Sequence, residues 1–232
     1  MQVASQISLS EKIQSIIAEK SMLKHPFYLK WTEGKLTQIE LQEYAKQYFH
    51  FMSQFPRFIS AIHSNCDNAE ARQLLMENLC DEEGWKTGIP SHPSLWADFA
   101  QGLGVSVAEM ENTQYHAETK ALVEGFRKAT NSPNYWVGIA TMFAYEAQIP
   151  EVAKTKIEGL KDFYGIADEQ TYRYFSVHET ADVTHAAQEM EILEEAIAQN
   201  AGAEAEILAA VEQSTELVWK FLDGVYNHHC LN

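Results

Sequence analysis

Apolar residues recur every three to four positions along almost the whole chain, with charged and amide residues between them. Leu41, Tyr44, Ala45 and Tyr48 fall at i, i+3, i+4 and i+7, the stripe of a helix that buries one face. Four capping signatures mark helix starts: SLSE at 8–11, TQIE at 37–40, DNAE at 67–70 and SVAE at 106–109. Pro56 interrupts the second pattern, but the stripe resumes with Phe58, Ile59 and Ile62, so one long kinked helix is expected there. Further helices are expected at 68–83 and from His92 onward, after the Gly- and Pro-containing loop GWKTGIPSHP (84–93). Others follow at 107–130 with a break, at 134–163 before the stop signal Gly165, at 168–199 with room for an interruption, and at 204–226. No segment alternates apolar and polar positions as a half-buried strand would. The expected fold is all-α, a single helical bundle of seven or eight helices over residues 1–232, with 226–232 as a disordered tail.

Hydrophobic residues make up 46% of the chain and charged residues 22%, enough for a sizeable core. The net charge of −16 argues against nucleic acid and anionic membranes as partners, since both attract a basic footprint. Cys66, Cys80 and Cys230 form no CxxC pair and are odd in number, which reads as reduced thiols in a cytoplasmic protein. The N-terminal MQVASQISLSEK has neither the basic nor the apolar region of a signal peptide. No stretch reaches the ~18 apolar residues of a membrane span. GxSxG, glycine-rich phosphate loops and Walker motifs are absent. The terminal NHHC (227–230) reads as a frayed end with at most loose metal binding.

Chemistry concentrates in three places. In HETADVTHAAQEM (178–190), His178, Asp182 and His185 are spaced by four and three residues. At about 100° per residue they share one helix face, one turn above the next. Glu82 ends the helix before the loop, and His92 follows it. Glu146 stands alone among Phe143, Ala144, Tyr145, Ala147 and Ile149, where a carboxylate is expensive unless it is paired or ligating. Each has an ordinary reading as well: a polar helix face for 178–185, a solvated DEE run for Glu82, a helix terminus for His92, a lysine partner for Glu146. Taken together, three carboxylates and three imidazoles on separate helices of one bundle suit two iron or manganese ions with open positions for O2. A structural zinc site would call for cysteine ligands instead.

These blocks, with MLKHPFYLKW (22–31), LTQIELQEYAKQYFHF (36–51), FPRFISAIHSNCD (55–67), HPSLW (92–96), YEAQIPEVAKTKIEGL (145–160) and YFSVHETADVTHA (174–186), resemble the family of the Chlamydia protein associating with death domains. That family belongs to the haem-oxygenase-like di-metal oxidases, related to pyrroloquinoline-quinone synthases and TenA-like proteins. The resemblance runs from about residue 10 to 225, and the loop between Glu82 and His92 is longer here than in the family pattern. It implies a haem-oxygenase-like fold without haem, and the same six ligands, Glu82, His92, Glu146, His178, Asp182 and His185. The two ions would be Fe/Fe or Mn/Fe, working with O2 and an external reductant.

The resemblance also implies an activity: an oxygenase that supplies para-aminobenzoate for folate, taking the ring from its own tyrosine and the amine from its own lysine. By motif these are Tyr28 in HPFYLKW and Lys156 in AKTKIEGL, with Tyr44, Tyr145 and Tyr174 as further aromatics for radical transfer. Two other functions stand beside it: a di-metal oxidase acting on an external small molecule, and a non-catalytic bundle that binds a partner helix. A homodimer is expected by analogy and from the frequency of two-fold assemblies.

Overall fold

The computed structural model describes residues 7–231; the opening MQVASQ, with the reading made of it, and Asn232 lie outside them. The chain runs α1 (Leu9–Glu19), a 3-10 turn (Met22–Lys24), α2 (Pro26–Thr32), α3 (Gln38–Met52), α4 (Phe55–Asn65), α5 (Ala69–Glu82) and α6 (His92–Gly102). It continues with α7 (Val107–Asn112), α8 (Ala117–Thr130), α9 (Tyr135–Glu146), α10 (Ile149–Asp162), α11 (Glu169–Gln199) and α12 (Ala203–Val225).

Twelve α-helices among the described residues exceed the seven or eight expected. Two of the additional breaks share one cause. Pro56 does not kink a long helix but sits at the start of α4, and Pro150 likewise sits at the start of α10, dividing the segment expected at 134–163. Proline is tolerated in a first turn because its missing N–H would have no intrahelical partner there. Three of the four capping boxes form as expected at Ser8, Thr37 and Ser106. The other helix starts one residue later than DNAE suggests: Asn68, not Asp67, accepts from the backbone of Glu70 and Ala71.

The short α2 had no periodic signal and depends on a local device. His25 caps it, with Phe27 N donating to His25 Nδ1 at 3.1 Å. That leaves His25 Nε2–H to donate to Asp223 of α12 at 3.1 Å. The predicted disordered tail is corrected too. Tyr226–Cys230 continues α12 as a π-helical turn, Cys230 is buried, and Lys30 Nζ donates to Cys230 O at 2.8 Å.

The apolar α9 lies at the centre, ten of its residues buried, against α12, α11 and α8. Around it, α11 packs on α10 and α6, and α3 packs on α6. The buried apolar side chains make one continuous cluster. No helix among the described residues is long and apolar enough to cross a membrane.

One close approach fixes the spacing of α2 and α10. Trp31 Nε1 donates to Lys156 O at 3.3 Å, and a Cβ on Gly159 would lie 2.6 Å from Trp31 Nε1. Gly159→Ala is therefore expected to destabilise the fold by about 1–3 kcal/mol, as overpacking does, through separation of these two helices. A lowered urea midpoint with an unchanged slope checks this.

Candidate metal centre and buried tyrosine–lysine pocket

Each of the six candidate ligands is brought into the core. Glu82 ends α5, His92 opens α6 and His178 lies on α11; their ligand atoms fall within 4.8 Å of one another. Glu146 ends α9, where the break before Pro150 closes the helix, and joins Asp182 and His185 of α11 in a second triad on the same scale. All six are at most 4% exposed. The single unbroken α11 carries half of the set, because HETADVTHAAQEM contains no glycine or proline to interrupt it.

Neighbouring groups aim these ligands. The rings of His92 and His178 are 4.2 Å apart, and His92 Nδ1 lies 2.7 Å from Glu82 Oε1. His178 Nδ1 donates to Tyr174 O at 2.7 Å, which leaves Nε2 as its free donor atom. On His185 the roles reverse. Nε2 contacts Asp81 Oδ2 at 3.2 Å, while Nδ1 lies 3.6 Å from Asp182 Oδ1 and 4.0 Å from Glu146 Oε2. A carboxylate behind a ligating imidazole fixes its tautomer and raises its basicity.

The electrostatics are those of carboxylates and imidazoles crowded together in the core. Burial, then Asp182, raises the carboxyl of Glu146 well above the usual range. Burial pushes Asp182 up to about 6, opposed by its contact with His185. Burial alone would lower His185, but Asp182, Glu146 and Asp81 lift it to about 9. Burial and the facing His92 hold His178 well below its ordinary value, in the form with a free lone pair. Glu82 Oε2, Glu146 Oε1, Asp182 Oδ2 and His185 Nδ1 are all buried without a hydrogen-bond partner. Buried polar atoms are rarely left unpaired. Four orphaned donor atoms on two triads of carboxylate and imidazole fit two divalent ions of the iron or manganese type.

The other predicted residues gather beside this centre. Tyr28, Tyr44, Tyr145 and Lys156 line one small enclosed cavity with Tyr48. Lys156 is 3% exposed and its Nζ donates to Tyr44 Oη at 2.5 Å. The same Nζ lies 5.4 Å from the ring centre of Tyr28, 4.7 Å from that of Tyr44 and 4.9 Å from that of Phe175. Burial drives this amine well below its ordinary value. Tyr174 stands outside the cavity, between it and the metal centre, its ring 4.1 Å from His178.

Sequence reading missed five residues here. Trp96 meets Tyr174 edge-to-face at 4.9 Å and lies tilted 4.3 Å from Tyr48, and Tyr48 lies 5.6 Å from Tyr44, so aromatic rings run without interruption from His178 to the cavity. Tyr48 and Tyr145 also meet through their hydroxyls. Asp81 supports His185, Asn78 Nδ2 donates to Glu146 Oε2 at 3.5 Å, and Glu189 is buried nearby. Tyr48 stood in the stripe of α3 and Trp96 in HPSLW. Asp81 stood in the DEE run, where nothing in the spacing separated it from solvated acids.

A helical bundle whose core holds two facing triads of carboxylate and imidazole has the architecture of the di-metal carboxylate oxidases. The chain belongs to the family described as "Iron-containing redox enzyme", whose profile matches residues 42–219, and within it groups with the 4-aminobenzoate synthases. It is 38% identical to the 4-aminobenzoate synthase of Nitrosomonas europaea over 97% of this chain and 94% of the relative. It is 41% identical to that of Chlamydia muridarum over 92% of this chain and 88% of the relative. Among solved structures, a TenA homologue from Pseudomonas syringae pv. tomato superposes with a TM-score of 0.81 at 16% identity, covering 98% of this chain and 96% of that one. A domain with a haem-oxygenase-like fold from Shewanella denitrificans superposes with a TM-score of 0.82 at 17% identity, covering 98% of this chain and 95% of that one, so the chain has that fold.

Proposed function

We propose that this chain is a di-metal oxygenase that makes 4-aminobenzoate from its own residues, with the ring from Tyr28 and the amine from Lys156. The observation that carries this reading is Lys156. Its amine is buried in an aromatic cage, without a carboxylate partner among the described residues, 5.4 Å from the Tyr28 ring. A buried lysine is costly and is kept where its neutral, nucleophilic form is used. The names of the relatives at 38% and 41% identity support the product.

The six ligands would hold two ions, Fe/Fe or Mn/Fe, which would supply O2 activation and oxidising equivalents. The chain supplies the rest. Burial keeps the phenols of Tyr28, Tyr44, Tyr48 and Tyr174 protonated. Tyr174, Trp96, Tyr48 and Tyr44 provide closely spaced aromatic steps along which an electron can leave Tyr28 toward the centre. The closed cavity excludes water, so an oxidised tyrosine meets Lys156 before any diffusing reductant.

Protein grown with ring-13C tyrosine and reacted with O2 and reductant in unlabelled buffer tests this. The expected product is ring-labelled 4-aminobenzoate that stops accumulating at one per chain. Unlabelled product, or many turnovers per chain, would instead identify an oxidase of an external small molecule.

A further inference from the structure

Four side chains, rather than the three of the ligand set, bring negative charge into the core around the two triads. Glu189 follows His185 by one helical turn on α11, so His178, Asp182, His185 and Glu189 run at spacings of four, three and four along one face. Glu189 is 4% exposed, and its Oε2 is buried with no hydrogen-bond partner among the described residues. Burial, then Glu146 and Asp182, raises its carboxyl well above the usual range, so those two carboxylates are its electrostatic neighbours. No lysine or arginine forms an ion pair with Glu82, Glu146, Asp182 or Glu189 among the described residues.

A buried carboxylate with neither hydrogen bond nor counter-charge is too expensive to keep as packing. Charge counting gives it a place. With neutral imidazoles, Glu82, Glu146 and Asp182 carry three negative charges against the four positive charges of two divalent ions. Glu189 brings the buried sum to zero, and it lies one helical turn beyond His185 on the face that carries Asp182. An outer carboxylate on that side is already taken: Asp81 is bound to His185 Nε2 and is half-exposed.

We propose that Glu189 is a fourth carboxylate of the metal centre, serving the ion of the Glu146–Asp182–His185 triad. The proposal rests on the di-metal reading above. Metal-free wild type, Glu189→Gln and Glu189→Asp are titrated anaerobically with Fe(II), and the thermal midpoint of each metal-free protein is recorded. Wild type takes up two ions per chain. Glu189→Gln keeps one with unchanged affinity and binds the other about 10–100-fold more weakly, the usual effect of losing a supporting carboxylate. Its metal-free midpoint does not fall, because the buried Glu189 Oε2 has no hydrogen-bond partner to lose. Glu189→Asp, which keeps the charge, falls between the two in affinity. Two ions held by Glu189→Gln as tightly as by wild type overturn the proposal. So does equal weakening of both ions with a lowered metal-free midpoint, which marks a packing role. Wild type that binds no ion overturns the di-metal reading itself, and this proposal with it.

Discussion

Tyr28→Phe is expected to remove 4-aminobenzoate formation altogether while leaving two ions bound. The substitution takes away one oxygen and nothing else. Phenylalanine keeps the edge-to-face contact with Phe27, whose ring is 5.6 Å away, and keeps the face presented to Lys156. Any hydrogen bond lost with that hydroxyl costs about 1 kcal/mol, too little to unfold the chain. None of the six metal ligands touches Tyr28, so metal content reports an intact centre. What disappears is the phenol that the proposed reaction oxidises and whose ring becomes the ring of the product. Product quantification, metal analysis and the intact mass of the reacted chain check this together. Tyr28→Phe that still yields 4-aminobenzoate at the wild-type level would exclude Tyr28 as the source. Tyr164→Phe is the matched control, since it removes a tyrosine hydroxyl from outside the cavity and the proposed electron path.

The two candidate triads were largely legible in the sequence because their residues violate their surroundings. Glu146 is conspicuous among Phe143, Ala144 and Tyr145, and the spacing of His178, Asp182 and His185 places them on one face of any helix. Glu189 continues that face by one more turn, yet it sits in an acidic stretch, HAAQEMEILEE, where a solvated glutamate is ordinary. The cavity was harder to read. Lys156 occupies a run of alternating lysines, and only the rotation of α10 decides which of them turns inward. In retrospect Val152, Ala153, Ile157 and Leu160 mark the buried stripe, and Lys156 lies within it while Lys154 and Lys161 do not. Helix number was misjudged for a related reason. Across Ser53–Gln54 and Ala147–Gln148 the chain turns briefly and resumes its apolar pattern, so periodicity alone could not register either break. Trp96 needed the tertiary contact between α6 and α3, where its Nε1 donates to Ala45 O at 2.9 Å.

Lys156→Met is expected to make the metal-free protein more stable at neutral pH while removing product. Methionine fills nearly the same volume with an apolar, flexible chain. The wild-type amine is held well below its ordinary value of 10.5 by burial, so the folded state keeps it neutral where the unfolded chain would protonate it. The sign follows: below 10.5 the unfolded state binds a proton that the folded state refuses, and wild-type stability falls as pH falls, until the depressed folded value is reached. Each unit of depression costs about 1.4 kcal/mol, whereas the lost hydrogen bond to Tyr44 is worth about 1 kcal/mol. With a large depression the charge cost wins, and the variant gains on the order of 1–3 kcal/mol at pH 7. The gain should shrink steadily between pH 8 and about 10.5 and give way above it, where both states are neutral, to a loss of about 1 kcal/mol from the missing hydrogen bond. Urea midpoints across that range check the trend, with the same proteins assayed for product. A variant less stable than wild type at pH 7, with a difference that does not change with pH, would mean that the buried amine is no burden to the fold. A more stable, metal-binding and productless variant would mean that the chain keeps a destabilising lysine for the chemistry it performs there.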